Sequence, residues 1–195
     1  MAEKISHTQY GDAPLSTAHS VDNDGVNEEE GLEAHSGDHL IGRTVTINRP
    51  RQELYEFWRD LRNLPRFMQN IRSISVTDGN RSHWVVDAPG GHQVEWDAIL
   101  TEDQPGSLLA WESVEGASVR NTGRIEFKDS TNGRGTVVTA TLVYDPPGGN
   151  MGRVIAKLFE KEPHIQVRRD LRRFKQLMET GEIATSSPPN PPPKA

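Results

Sequence analysis

Residues 82–113 read SHWVVDAPGGHQVEWDAILTEDQPGSLLAWES. Three runs within it, 82–87, 92–101 and 107–113, are rich in Val, Ile, Leu and Trp, and Pro89-Gly90-Gly91 and Gln104-Pro105-Gly106 break them apart. Such runs with turn residues between them predict consecutive strands. The pattern extends in both directions, with 71–77 before Asp78-Gly79-Asn80, then 123–128, then 136–144 after Asn132-Gly133-Arg134-Gly135. Loops this short between successive strands predict an antiparallel meander.

N-terminal to this series, Thr44-Val45-Thr46-Ile47 is β-branched and suits a first strand. Pro50 fits the first turn of a helix whose Leu54, Phe57, Trp58 and Leu61 recur at i, i+3, i+4 and i+7. A second short helix is expected to hold Phe67 and Met68, with Pro65 near its start. C-terminal to the strands, Pro146-Pro147-Gly148-Gly149 marks a change of period. Met151, Val154, Ile155 and Leu158 form one helical stripe, and Val167, Leu171, Phe174 and Met178 another. Pro163 between them is expected to kink or interrupt the helix, and Gly181 to cap it. The order strand, two helices, six strands, long helix predicts an α+β fold, a curved antiparallel sheet of about seven strands wrapped around the C-terminal helix. Sheet and helix each have an apolar face that only the other can cover.

The chain has 195 residues, no cysteine and a formal net charge of −6. Disulfides, thiolate catalysis and Cys-ligated metal centres are thereby excluded. Residues 1–40 hold nine acids against the single Lys4, and one of the twelve aromatics, so they are expected to be a disordered acidic tail. Residues 184–195, rich in proline, are expected to be a second disordered tail. The folded domain is placed at 41–183. Without a strong basic excess there, nucleic acid is not an expected partner. No secretory leader and no run of about 20 apolar residues is present, which predicts a soluble, cytoplasmic protein.

Several motifs carry a family resemblance. They are Arg49-Pro50 with Phe57-Trp58, Asn63-Leu64-Pro65-Arg66-Phe67-Met68, Ser82-His83-Trp84, Val94-Glu95-Trp96-Asp97-Ala98, and Ala110-Trp111-Glu112-Ser113. Gly123 with Phe127, Gly133-Arg134-Gly135-Thr136 and Asp170-Leu171-Arg172-Arg173-Phe174-Lys175 complete the set. With these the chain resembles the START-like, helix-grip (SRPBCC) superfamily. Within it, the chain is similar to the bacterial polyketide cyclase/dehydrase group that shares its domain with coenzyme-Q-binding START proteins. The resemblance covers about 41–183 and implies a ligand cavity between sheet and C-terminal helix. Its members include enzymes, lipid carriers and receptors, so it leaves the chemistry open.

Trp84, Trp96, Trp111, Phe127 and Tyr144 fall on successive strands and are the candidate ligand-binding residues. Alternate strand residues share a face, so Trp96 lies with Val94, Ala98 and Leu100, and Glu95 and Asp97 face the other way. By residue count alone these aromatics read as a filled core; the resemblance favours an aromatic cavity wall suited to a flat apolar ligand. Glu95, Asp97, Glu112, His83 and His92 are the available acid–base groups, and the strand parity directs the two acids beside Trp96 away from the cavity. No Ser-His-Asp pattern with a nucleophile elbow occurs, and no catalytic residue is assigned. His35 and His39 lie in the tail and make no firm metal site, and Gly133-Arg134-Gly135 reads as a hairpin turn, so neither metal nor cofactor is expected. On the last helix Arg168, Arg169, Arg172, Arg173 and Lys175 fall opposite the apolar stripe. Arg168, Arg172 and Arg173 are the candidates for contact with an anionic membrane, against the alternatives of a plain solvated face or a docking face for the acidic tail of residues 22–33.

The functional reading is binding or transport of an apolar small molecule: a lipid, a quinone or isoprenoid, or a polyketide-like compound. The alternatives are a cyclase or dehydratase using a carboxylate or His at the cavity, and a protein-interaction adaptor without a small ligand. An ionisable side chain of perturbed pKa at the cavity would point to the enzyme, and a cavity too small for a ligand to the adaptor.

Overall fold

The computed structural model describes residues 39–88, 91–145 and 163–184. Seven strands form one antiparallel sheet: β1 (His39–Ile47), β2 (Ile71–Val76), β3 (Arg81–Ala88), β4 (His92–Gln104), β5 (Leu108–Ser113), β6 (Arg120–Asp129) and β7 (Thr136–Asp145). Their spatial order is β1-β7-β6-β5-β4-β3-β2, so the six later strands run as a meander and the first strand returns beside the last. Helix α1 (Arg51–Arg59) and a 3-10 turn (Leu61–Arg66) separate β1 from β2, and helix α2 (Pro163–Thr180) follows the sheet. This is the α+β helix-grip arrangement that the alternation of turns and apolar runs predicts.

The differences in detail have local causes. β1 begins at His39, two residues before the expected domain boundary, because His39 and Leu40 pair with Tyr144 and Val143 of β7. Pro50 stands at the N-cap with an extended ψ of 141°, one residue ahead of α1. The 3-10 turn takes up Leu61–Arg66 with Pro65 near its end, so Phe67 leaves the turn and enters the core, fully buried. β4 continues to Gln104 through a bulge between Leu100 and Glu102. That bulge adds local twist, and the strand beyond it is tied to α1: the Tyr55 hydroxyl donates to Asp103 Oδ1, and Arg59 Nε donates to Asp103 Oδ2. Burial first, and the bond to Asp103 second, push the Tyr55 hydroxyl up to about 12. α2 as described begins at Pro163, a favoured first position for proline, and the stripe from Met151 to Leu158 lies outside the described residues, as do 1–38 and 185–195. Gly181 ends α2, its N–H donating to Leu177 O at 2.9 Å.

Two glycines are required by close approach. A Cβ on Gly123 would lie 2.1 Å from the Trp111 ring, so the indole of β5 lies flat across β6 only because position 123 has no side chain. Gly135, at φ +77°, would place a Cβ 2.1 Å from the Ile47 carbonyl oxygen, and next to it Thr136 Oγ1 donates to Arg49 O at 2.8 Å. The β6–β7 turn is thereby docked on the corner between β1 and α1.

The same corner holds α2. Arg49 donates to the carbonyls of Met178 (2.7 Å) and Glu179 (3.1 Å), which have no partner within the helix, and the Asn48 N–H donates to Glu179 Oε1 at 2.7 Å. Beneath it Phe174 packs 4.9 Å from Phe67 and 5.0 Å from Trp58, ring centre to ring centre. Phe174 is fully buried, and truncating such a ring costs about 3–5 kcal/mol through lost transfer energy and an unfilled cavity. Phe174→Ala is therefore expected to lower stability by about that amount in urea unfolding; a loss below about 1 kcal/mol would show that α2 is held mainly by other contacts.

Candidate functional site

A cavity of about 140 Å³ lies between the sheet and the N-terminal half of α2. A space of that order holds one six-membered ring. Its strand wall is built by Trp84 of β3, Trp96 of β4 and Trp111 of β5. Trp84 and Trp96 are direct cross-strand partners, with ring planes 13° apart and centres 6.1 Å apart, and Trp84 and Trp111 lie 17° and 6.3 Å apart. The three indoles thus present a near-parallel layer. Met68, Ile71, Val167 and Leu171 are among the apolar residues that complete the lining.

Of the five aromatics expected at the site, these three line the cavity. Phe127 does not: it is fully buried under α1, edge-on to Tyr55 at 6.2 Å and to Trp58 at 6.4 Å, and belongs to the core. The α1 aromatics cover β6 at that level and separate Phe127 from the cavity. The side chain of Tyr144 lies outside the described residues. Trp58, assigned by periodicity to the α1 core stripe, lines the cavity as well.

The indole N–H groups differ in their partners. Trp84 Nε1 donates to Ser82 Oγ at 2.9 Å and Trp111 Nε1 to Asn121 Oδ1 at 3.1 Å. Trp58 Nε1 and Trp96 Nε1 are buried with no acceptor among the described residues.

The acid–base groups near Trp96 in the sequence lie on the opposite face of the sheet, as the strand parity requires. Asp97 accepts from His83 Nδ1 at 2.8 Å and from Arg81 Nη2 at 2.9 Å, bonds that hold its carboxyl below the usual carboxylate range. Glu95 lies 3.6 Å from His83 Nε2, and His92 and Glu112 are exposed. None of these groups lines the cavity. Among the described residues no cluster of three or more His, Asp or Glu is placed to hold a metal ion.

One ionisable group does line it. Asp170 of α2 is 9% exposed, and both its carboxyl oxygens lie within 3.1 Å of Gln166 Nε2, one turn earlier. Burial pushes its pKa up to about 6, against the opposing pull of Gln166, of the Gln69 N–H and of Arg173. The sequence carried a signal for it. Asp170 follows Val167 by three and precedes Phe174 by four, which places it on the apolar face of the helix. Arg173, expected on the outer face, is instead half-buried beside Asp170, with its Nε enclosed and without a partner among the described residues. Arg168, Arg169 and Arg172 are exposed.

Residues 47–172 match the family described as polyketide cyclase/dehydrase and lipid transport. The chain belongs to this family. An uncharacterized 17.2 kDa protein of Streptomyces lincolnensis is 26% identical over 141 residues, spanning 71% of this chain and 89% of that protein. The crystal structure of a Deinococcus radiodurans protein is 39% identical, with a TM-score of 0.61 over 73% of this chain and 99% of that one. The aromatase/cyclase Zhui of a Streptomyces species has a TM-score of 0.58 at 12% identity, over 75% of this chain and 99% of that one, a likeness of fold alone. No helix among the described residues is long and apolar enough to cross a membrane.

The folded state keeps the Asp170 proton between its ordinary value of 3.8 and about 6, whereas the unfolded chain loses it, so this group's contribution to stability falls as pH rises through that window. Asp170→Asn removes the effect. The variant is expected to gain about 2–3 kcal/mol relative to wild type between pH 4 and pH 7 in urea unfolding; a constant difference would contradict the placement of a buried acid at 170.

Proposed function

We propose that this protein binds a flat, apolar small molecule in the cavity between the tryptophan layer and α2, as a carrier or holder rather than as a catalyst. The observation that carries this reading is the layer itself. Three near-parallel indoles from adjacent strands line an unfilled space of about 140 Å³, where a core would have interdigitated side chains. That space argues against an adaptor with a solid interior. Quinone-like and polyketide-like rings fit the layer better than a flexible acyl chain, because a flat ring gains stacking area without losing rotamer freedom.

Asp170 supports a second reading, a cyclase or dehydratase in which this acid donates and accepts a proton near neutral pH. The carrier reading has the stronger support because both Asp170 oxygens are engaged by Gln166 and no second acid or histidine lines the cavity among the described residues. Mass spectrometry of organic extracts from the purified protein tests the carrier directly. Quenching of Trp fluorescence by a short-chain quinone tests the wall, and Trp96→Ala is expected to weaken that binding at least tenfold while unfolding stays cooperative. A wild type that never binds the probe, combined with a loss of about 3–5 kcal/mol in the variant, would make Trp96 an ordinary core residue.

A peripheral contact with anionic lipid is proposed for the outer face of α2. Arg168, Arg169 and Arg172 are exposed there and have no carboxylate partner among the described residues, whereas Arg59, Arg81 and Arg124 on the rest of the fold are each ion-paired. Reversing all three charges is expected to abolish sedimentation with phosphatidylserine vesicles, and added salt to do the same to wild type. Equal sedimentation of wild type and variant would leave a plain solvated face.

A further inference from the structure

Resting on the apolar-cavity reading, we propose that the site selects a neutral ring compound bearing a carbonyl oxygen and rejects carboxylates, with Trp96 donating to the carbonyl and Asp170 setting the exclusion. Two observations, independent of each other, lead there.

The first is the distribution of acceptors along the tryptophan layer. Ser82 serves Trp84 and Asn121 serves Trp111, but Trp96 Nε1 is buried without an acceptor among the described residues. A buried donor left unpaired is costly, and on a cavity wall an acceptor carried by the ligand removes that cost. Trp58 Nε1 is also unpaired, but Trp58 is 1% exposed and closed in by Phe67 and Phe174, whereas Trp96 retains 8% exposure. Of the two unpaired indoles on the lining, Trp96 is the one whose ring keeps more surface open to an occupant.

The second is the charge at the helix wall. An indole N–H donates to a ketone oxygen and to a carboxylate oxygen alike, so it does not by itself reject the anion. Asp170 does. Asp170 lines the cavity, and a second carboxylate in the same desolvated space meets like charge. Arg173 acts on the same carboxyl but is absent from the lining, so the charged residue that an occupant meets at this wall is Asp170. Gln166 holds Asp170 through its amide N–H and so fixes the carboxyl at the wall.

Acetophenone, ethylbenzene and benzoate have nearly the same shape and differ in a neutral acceptor, no acceptor and an anion. Calorimetric titration of the full chain at pH 8 is expected to rank acetophenone about fivefold above ethylbenzene, with no binding of benzoate. Trp96→Phe keeps the ring and removes the N–H, and is expected to bring the acetophenone to ethylbenzene ratio to about one. Asp170→Asn is expected to raise the benzoate to acetophenone affinity ratio at least tenfold. Benzoate bound by wild type as tightly as acetophenone would overturn the exclusion, and an unchanged ratio in Trp96→Phe would overturn the donor. Binding of ethylbenzene and acetophenone with equal affinity in wild type refutes the carbonyl preference while leaving the apolar-cavity reading intact. Failure of all three to bind overturns that reading and this inference with it.

Discussion

The contact of Phe174 with Phe67 and Trp58 is the constraint on which the rest of the molecule depends. It fastens the C-terminal half of α2 into the aromatic core, and Arg49 closes the end of the helix from the β1–α1 corner. A helix clamped at one end is free of the need to be packed solid at the other. Gln166, Val167, Asp170 and Leu171 therefore roof a cavity, while Phe174 and Leu177 fill a core. One helix supplies both, and the change occurs within a single turn.

The sheet separates its chemistry by face. On the outside, Arg81 pairs with Asp97, which also bonds His83, and Glu95 lies beside that ring, contacts near the surface of the kind that contribute little to stability. On the inside the same strands present Trp84 and Trp96, and Gly123 of β6 makes room for Trp111. The tryptophan layer thus depends on a missing side chain as much as on the three that are present. Polar groups on the inner side are few, and their hydrogen bonds account for almost all of them, with Ser82, Asn121 and Gln166 each taken up. The Trp58 and Trp96 N–H groups are left without an acceptor among the described residues, and Asp170, held by Gln166, is the ionisable group those residues bring to an otherwise apolar wall.

A carrier and a cyclase make different demands on such a space. A carrier needs surface complementarity and a few orienting groups. A cyclase needs in addition a donor and an acceptor of protons positioned on opposite sides of the reacting bond. The acids and histidines of β3 and β4 point away from the cavity, which leaves Asp170 with no titratable companion on the wall among the described residues. Membership of a family described as polyketide cyclase/dehydrase and lipid transport accommodates both uses of one architecture.

The strand order, the antiparallel meander and the sidedness of Trp96 against Glu95 and Asp97 were legible in the sequence, because a period of two and a turn between strands are local properties. The placement of Trp84, Trp96 and Trp111 on the inner face follows from the same rule. The exclusion of Phe127 from the cavity was not legible, because it depends on where α1 crosses β6, a contact between segments some 70 residues apart for Tyr55 and Phe127. Nor was the inward position of Asp170 read from its helical spacing, since an acid on an apolar stripe is exposed or buried according to what the helix lies against. Only the tertiary structure decided that Asp170 faces a cavity and that Arg173 is half-buried beside it, because the stripe of Val167, Leu171 and Phe174 does not itself say which of its turns fills a core and which roofs a space; that is set by Phe174 and Arg49, which fix the far end of α2.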